Sequence, residues 1–263
     1  MTRVLGRVGS ALASFVLLLA LQPSAKADTI AYMVIEPNNG FGTIDLNTGL
    51  FTQLGNSAAE LTGLGLAGGI LYGGAGNTLY QVNPANGTLT AVGSGSIPSY
   101  LTGSTPGGLF GIDLNGNLYS INPGTGATTL IGSIGFSLVG TNSDALSGGS
   151  SALYLAVDGT LYSVNTSTGA ATAIGSTATR IAGLAFENGT LFAGLNIAPH
   201  SIDTLDTGSG AATFVANVSG VSGFFNFEAL GPVTQPTATP EPSSLLLLAT
   251  ALVGFAAIGR RNL

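Results

Sequence analysis

The sequence predicts an all-β protein, a β-propeller of about five four-stranded blades. A sixteen-residue phrase recurs along the chain with start-to-start spacings of 38, 39, 43 and 41 residues, and a repeat near forty residues is typical of propeller blades. Glycine supplies 41 of the 263 residues, and 45% of the residues are apolar. Short apolar runs separated by turn residues favour many strands. The two ends of the repeat region also complement each other, which favours a closed ring.

The phrase is predicted to be a β-hairpin. Its clearest copies are LYQVNPANGTLTAVGS (79–94), LYSINPGTGATTLIGS (118–133) and LYSVNTSTGAATAIGS (161–176), and weaker copies occupy residues 41–56 and 202–217. Bulky residues at its start favour an extended strand, and a glycine at its ninth position permits a turn with positive φ. The second strand follows this turn, as at Ala127–Gly132 in the copy at 118–133.

A second hairpin precedes each phrase. Its later strand carries a leucine–aromatic step, as at Leu109-Phe110, and its earlier strand is a short apolar segment, as at Ile181–Phe186. The dipeptides Asn115-Gly116 and Asp158-Gly159, after the leucine–aromatic step, and Asn188-Gly189, before it, are preferred two-residue hairpin turns, because both positions tolerate φ > 0. They therefore do not all join the same pair of strands. Two hairpins per repeat give a four-stranded blade.

The ends of the repeat region predict how the ring closes. Ala31–Ile35 matches the second strand of a blade whose first strand is missing, and Phe227–Leu230 at the other end resembles the first-strand segment Gly183–Phe186. The last strand would complete the first blade and remove open sheet edges. An open solenoid would need polar caps instead. Six blades or another stacked β form remain alternatives.

Residues 1–27 predict a secretory signal peptide. Arg3 and Arg7 form its basic region, Ala11–Leu21 its apolar region, and Ala25-Lys26-Ala27 an A-x-A site for signal peptidase. We expect the mature chain to begin at Asp28. An uncleaved anchor is the weaker alternative, because the apolar region is short for a membrane span.

The remaining chain divides into three predicted segments. The propeller domain covers residues 28–232, an extended Pro/Thr linker covers 233–239, and a tail covers 240–263 with a transmembrane helix at 243–259. Arg260 and Arg261 follow the helix directly. Because positive residues stay cytoplasmic, the propeller is expected on the outer side of that membrane.

Composition excludes several classes of function. Residues 28–239 contain eleven acidic residues and one basic residue, Arg180. Without a basic stripe the domain is not expected to bind nucleic acid. The chain has no cysteine, which excludes disulfides, thiolate metal sites and cysteine nucleophiles.

Motifs for catalysis or metal binding are sparse. His200 is the only histidine and has no recognisable partner residue, whereas nucleophilic catalysis needs a base and an orienting acid. Arg180 is a candidate clamp for an anionic ligand, with a solvated or ion-paired role as the alternative. The segment from Asp113 to Asn117 weakly resembles a calcium loop but lacks its closing glutamate. We therefore predict no catalytic, cofactor-binding or metal-binding residues.

Other acidic residues lie near predicted turns, and a carboxylate pair could form between blades for acid–base chemistry. These residues are Asp144, Asp158, Glu187 and Asp203.

The tail resembles the PEP-CTERM domain of exported Gram-negative proteins. Pro240-Glu241-Pro242 is followed by two serines, a leucine-rich span and Arg260-Arg261. The resemblance implies recognition by exosortase, a membrane cysteine protease that cuts at or near the Pro-Glu-Pro motif. The prolines keep this stretch extended, which is the form that a protease accepts.

The body resembles quinoprotein-type propellers with LYxVNxxTGxxTxIG repeats. The chain contains no tryptophan, so it lacks the tryptophan docking signature of quinoprotein enzymes and the Trp-Asp signature of WD repeats. The resemblance therefore implies the fold and no cofactor.

The expected function is that of an exported, non-enzymatic structural or interaction module of the cell surface or extracellular matrix. The tail would anchor the chain in the inner membrane during transit, exosortase would then process it, and low charge suits contact with extracellular polysaccharide. The alternative is a periplasmic or surface enzyme or small-ligand binder that uses the channel mouth, with Gly93–Ser99 and Ser133–Asn142 as the expected binding loops. His200, Arg180 and two carboxylates in one pocket would favour that alternative.

Overall fold

The computed structural model describes residues 29–93, 97, 100–141, 144–149, 152–178, 180–223 and 225–233. The predicted signal peptide with Ala25 and Ala27, the linker after Val233, and the sorting segment with its predicted helix at 243–259 lie outside these residues. Within the described ranges no helix is long and apolar enough to span a membrane.

The described chain forms twenty β-strands. They are β1 (Ile30–Glu36), β2 (Gly40–Asp45), β3 (Phe51–Asn56), β4 (Leu64–Ala67), β5 (Ile70–Ala75), β6 (Thr78–Val82), β7 (Leu89–Ala91), β8 (Leu101–Thr105), β9 (Gly108–Ile112), β10 (Asn117–Ile121), β11 (Thr128–Ser133), β12 (Asp144–Gly148), β13 (Leu153–Val157), β14 (Thr160–Val164), β15 (Ala171–Ser176), β16 (Ile181–Glu187), β17 (Thr190–Leu195), β18 (Ser201–Leu205), β19 (Ala212–Asn217) and β20 (Asn226–Pro232).

These strands pair into five four-stranded antiparallel sheets, the blades of a propeller. Blade 1 has the order β20-β1-β2-β3, and blades 2 to 5 take β4–β7, β8–β11, β12–β15 and β16–β19. The innermost strands β20, β4, β8, β12 and β16 contact one another in this order, and β16 contacts β20 again. The predicted five-bladed ring is confirmed, and in the described chain it is neither an open solenoid nor a six-bladed form.

Ring closure follows the predicted strand exchange. β20 pairs with β1 in antiparallel register, with Met33 opposite Leu230 and Val34 opposite Ala229. Ile35 lies opposite Phe227, so Glu228 is the extra residue of a β-bulge. The last strand of the chain thus completes the first blade.

The core lies at the joints between neighbouring blades. Five buried apolar clusters join blades 1 and 2, 2 and 3, 3 and 4, 4 and 5, and 5 and 1. At the joint of blades 1 and 2, for example, the fully buried Phe41 belongs to the same cluster as Leu61 and Leu64. Burial of apolar surface between blades therefore stabilises the ring as a whole.

The repeated phrase ends its first strand in a side-chain-capped turn. In blade 3, Gly126 N donates to the carbonyl oxygen of Asn122 at 2.8 Å, and Gly124 N donates to Asn122 Oδ1 at 2.9 Å. The other four copies have the same pair of hydrogen bonds at Asp45, Asn83, Asn165 and Asp206. The ninth-position glycines have φ values of 69° to 82°, as the turn requires.

A glycine near the end of the phrase permits close packing of adjacent blades. A Cβ atom on Gly132 would lie 2.0 Å from the carbonyl oxygen of Thr168 in the next blade. Three further joints show the same approach, at Gly55, Gly93 and Gly175. At the ring-closing joint the equivalent residue is Ala216, and there Gly49 of blade 1 provides the space instead.

Two of the three predicted hairpin turns have the expected backbone. Asp158-Gly159 has φ values of 45° and 81°, and Asn188-Gly189 has 50° and 81°. The prediction for Asn115-Gly116 was wrong, because only Gly116 has a positive φ. That turn is wider, since Gly116 N donates to the carbonyl oxygen of Asp113 at 3.0 Å.

Candidate ligand site on the upper face

The upper face is defined here as the face on which the innermost strands begin. Every blade places a titratable side chain at or near that point: Glu228, Glu60, Tyr100, Asp144 and Arg180, for blades 1 to 5. The charges of Asp144, Glu228 and Glu60 each help to raise the pKa of the Tyr100 hydroxyl, after burial, which is the largest cause. The mouth of the channel on this face is therefore mainly acidic.

Three glutamates form a cluster at this mouth. Glu36 ends β1, Glu60 lies in the connection from β3 to β4, and Glu228 is the bulge residue of β20. One carboxylate oxygen from each lies within 4.8 Å of the others. Burial raises the pKa of the Glu228 carboxyl to about 8, with further contributions from its hydrogen bond to Glu36 and from the Glu36 and Glu60 charges. Glu228 therefore carries a proton at neutral pH.

The cluster can share protons or attract a hard cation. Its three carboxylates are oxygen donors, but Ca²⁺ takes about six to eight oxygen ligands. The described carboxylates alone do not complete such a site.

Asp144 is a second perturbed carboxyl at the mouth. Burial raises its pKa to about 6, a hydrogen bond from Thr141 opposes this shift, and the Asp158 charge adds to it. Asp144 and Asp158, both in blade 4, therefore interact.

The other two acids considered in the sequence have separate partners. Asp203 accepts a hydrogen bond from the Ser201 hydroxyl at 2.8 Å, and Glu187 accepts one from Val233 N at 2.9 Å.

A cleft of about 600 Å³ opens beside the glutamate cluster. It lies between the β1–β2 turn of blade 1 and the connection from β19 to β20. Its polar lining consists of Glu36, Asn38, Gln53, Asn56 and Ser222. Glu36 thus belongs to both the cleft and the cluster.

The amides of the cleft are ordered by one another. Gln53 Nε2 donates to Asn56 Oδ1 at 3.2 Å and to the carbonyl oxygen of Gly55 at 3.1 Å. Asn56 Nδ2 donates to the carbonyl oxygen of Asn38 at 2.7 Å. This chain of hydrogen bonds connects β3 to the β1–β2 turn and holds exposed side chains in defined positions.

His200 and Arg180 do not line this cleft. The His200 ring lies 4.2 Å from the Phe225 ring, and burial lowers its pKa against the opposing effect of a hydrogen bond with Asn226. Arg180 Nε donates to the carbonyl oxygen of Asn196 at 2.9 Å. The arrangement that would favour an enzyme, with both residues and two carboxylates lining one pocket, is not found in this cleft.

Asp113 has a local structural role. Its carboxylate accepts hydrogen bonds from Asn117 N at 2.8 Å, Asn117 Nδ2 at 2.9 Å and the Tyr119 hydroxyl at 3.1 Å. These bonds cap the β9–β10 hairpin and account for the sequence that resembles a calcium loop.

The cleft was not predicted at its actual position. The described residues of the expected loops Gly93–Ser99 and Ser133–Asn142 do not contribute to its lining. A signal was nevertheless present in the repeat. Position 13 of the phrase is Gln53 in blade 1, whereas the other blades have Ala91, Leu130, Ala173 and Phe214 there.

Comparison with known proteins identifies the tail. Residues 238–261 match the PEP-CTERM protein-sorting motif, so the chain carries the sorting signal of exported Gram-negative proteins that exosortase recognises. The matched residues include Pro240-Glu241-Pro242 and Arg260-Arg261. A search of curated proteins finds no match to the chain.

One of two similar solved structures supports the fold of the body. A symmetrical protein from work on de novo evolutionary emergence matches with 16% identity over 79% of this chain and 100% of its own, at a TM-score of 0.53. Glutaminyl cyclase from Myxococcus xanthus has 16% identity over 70% and 78% of the two chains and a TM-score of 0.46. At such identities the likeness concerns the fold alone. The resemblance to quinoprotein-type blades remains a prediction.

Proposed function

We propose that the propeller is a non-enzymatic structural or interaction module of the cell surface or extracellular matrix, with extracellular polysaccharide as its partner. The observation that carries this proposal is the sorting motif at residues 238–261, directly behind a closed propeller. Signal peptidase would release Asp28 as the first residue. Exosortase would recognise Pro240, Glu241 and Pro242 and would process the chain near them.

The positions of the first and last strands of the propeller support a module that faces outward from the membrane. β1 begins and β20 ends on the same face, because Ala31 lies opposite Pro232 in the register of this antiparallel pair. This lower face is opposite the glutamate cluster and the cleft. Only residues 233–237 separate β20 from the motif, a reach of at most about 18 Å. A chain anchored by its tail would therefore present the upper face away from the membrane.

The predicted tail would position the motif for processing. A helix at 243–259 followed by Arg260 and Arg261 on the cytoplasmic side would hold Glu241 beside the outer membrane–water interface. Cleavage there would leave the ring intact, because β20 ends at Pro232.

Fractionation of cells tests this proposal. We expect the wild-type chain in the surface or matrix fraction, and a chain with Pro240→Ala, Glu241→Ala and Pro242→Ala in the inner membrane. Pro236→Ala in the linker is the matched control and is expected to behave as wild type. Equal distribution of the triple variant and the wild type would argue against sorting through this motif.

A further inference from the structure

We propose that the cleft between blade 1 and the β19–β20 connection binds a neutral sugar unit of a polysaccharide. This inference rests on the proposed function, since it gives a site to the polysaccharide contact. It assigns recognition to Gln53 and Asn56, with Glu36, Asn38 and Ser222 around them.

The size of the cleft fits a small ligand. A volume of about 600 Å³ lies within the range of roughly 300–1,000 Å³ that is usual for small-molecule sites. Its walls come from separate parts of the fold, with Gln53 and Asn56 on β3 and Gly220, Val221 and Ser222 on the opposite connection. A ligand would therefore be contacted from two sides.

The polar lining matches sugar hydroxyls. A hydroxyl both donates and accepts, and a lining of amides, a hydroxyl and a carboxylate supplies both functions. The Gln53–Asn56–Asn38 hydrogen bonds hold the amides in place before a ligand arrives. Ordering the side chains in advance lowers the entropy cost of binding.

The apolar lining suits the C–H faces of a sugar ring. Ile35, Pro37, Val221 and Phe225 complete the wall beside the polar groups. Phe225 is buried and packs against the His200 ring at 4.2 Å, with Phe227 6.0 Å away. The packing of these three rings restrains the wall of the cleft that Phe225 forms.

Charge selects a neutral ligand over an anion. Among the residues that the structure describes, no basic side chain lines the cleft. Arg180, the only arginine or lysine in the described part of the chain, donates a hydrogen bond from Nε to the carbonyl oxygen of Asn196 instead. Glu36 lies in the lining and close to Glu60 and Glu228, so a phosphate, sulfate or uronate would be repelled.

The repeat provides an independent reason to assign these residues. Blade 1 departs from the phrase at position 13, where Gln53 replaces the apolar residue of every other blade. At position 16, Asn56 replaces the serine found in blades 2, 3 and 4, whereas blade 5 also has an asparagine there, Asn217. Since blades 2, 3 and 4 fold with neither amide at these positions, the fold does not require Gln53 and Asn56.

Binding of neutral sugars to the full chain tests the inference. The chain is solubilised in a detergent without a sugar headgroup and titrated with dextran and with neutral trisaccharides of glucose, galactose and mannose. Saturation-transfer NMR detects contact, and calorimetry gives the affinity. We expect at least one probe to bind. Gln53→Leu with Asn56→Ser, which restores the repeat, is expected to weaken binding about tenfold through lost hydrogen bonds.

Two further variants make the result specific. Leu130→Gln with Ser133→Asn places the same amides at the same positions of blade 3 and is expected to leave affinity unchanged. Ser222→Ala on the opposite wall weakens binding without touching the amide network. Thermal unfolding of each variant shows whether the blade is intact.

Three results would overturn the inference: no saturation transfer from any neutral probe, equal affinity of the repeat-restoring variant and the wild type, or binding abolished by a chelator. Fractionation of the wild-type chain separates this failure from failure of the proposed function. A chain that reaches the matrix without binding sugars refutes the cleft alone, whereas a chain that never leaves the inner membrane refutes the proposed function.

Discussion

The side chain of Asn196 forms two hydrogen bonds with the backbone of Phe227. Phe227 N donates to Asn196 Oδ1 at 2.7 Å, and Asn196 Nδ2 donates to the carbonyl oxygen of Phe227 at 3.1 Å. Asn196 lies in the β17–β18 loop of blade 5, and Phe227 lies in β20, the strand that closes the ring. At the other end of β20, Val233 N donates to Glu187 Oε1 of blade 5 at 2.9 Å. Blade 5 thus holds the closing strand at both ends.

Loss of the Asn196 side chain is expected to weaken ring closure. Asn196→Ala leaves the N–H and carbonyl groups of Phe227, a residue only 1% exposed, without these partners. We expect the free energy of unfolding to fall by about 1–3 kcal/mol, measured by urea denaturation. Asn77→Ala is the control, because Asn77 is exposed in the equivalent loop of blade 2. Equal stability of the two variants would contradict a role for Asn196 in closure.

The glycines at the joints between blades, such as Gly132, are expected to tolerate no side chain. In Gly132→Ala the new Cβ would lie 2.0 Å from the carbonyl oxygen of Thr168, and relief requires blades 3 and 4 to move apart. We expect a loss of about 1–3 kcal/mol in the free energy of unfolding. In Gly124→Ala the nearest atom, Asn122 Oδ1, is 3.4 Å away, so that variant serves as the control. A Gly132→Ala chain as stable as the Gly124→Ala chain would refute the close approach.

The protein is expected to lose stability as pH rises toward 8. The folded pKa of Glu228 is about 8 against an ordinary 4.5, so the folded state keeps a proton that the unfolded chain releases. The proton on Glu228 contributes fully to the free energy of unfolding below about pH 4.5. This contribution is lost as the pH rises through the folded pKa of about 8. Asp144, raised from 3.8 to about 6, acts in the same direction over the lower part of this window.

Thermal unfolding at several pH values measures this effect. We expect the Tm of the wild type to fall between about pH 5 and pH 8. The Tm of Glu228→Gln should fall less over this range and should exceed that of the wild type near pH 8. Asp206→Asn is the control, because hydrogen bonds from Ser209 and Gly208 lower the pKa of Asp206 and leave it ionised throughout this range. A wild-type Tm that rises with pH would contradict the protonated state of Glu228.

The fold was largely predictable because its signals are local. Strand, turn and strand recur at fixed positions, so five weak patterns supported one another, and Phe227–Leu230 could be matched to Gly183–Phe186. The β9–β10 hairpin forms as predicted, but the two-residue turn at Asn115-Gly116 was wrong because the Asp113 side chain caps a wider turn. Such a competing side-chain interaction is not visible in the dipeptide itself.

The candidate site was less predictable because closure of the ring creates it. Glu36, Glu60 and Glu228 belong to three separate stretches of sequence and meet only when β20 pairs with β1. Gln53 could have been found, since it interrupts the apolar character of its repeat position. Its partners across the cleft come from the β19–β20 connection, which has no counterpart in the repeated phrase.

Mass spectrometry of both ends of the mature protein, by cell fraction and with or without exosortase in the host, tests the sorting proposal most directly. We predict an N-terminus at Asp28 in both strains and a C-terminus near Glu241 only where exosortase is present. A chain that keeps Arg260-Arg261 in both strains would contradict processing. The tail would then be an anchor alone, and the propeller would act while tethered to the membrane.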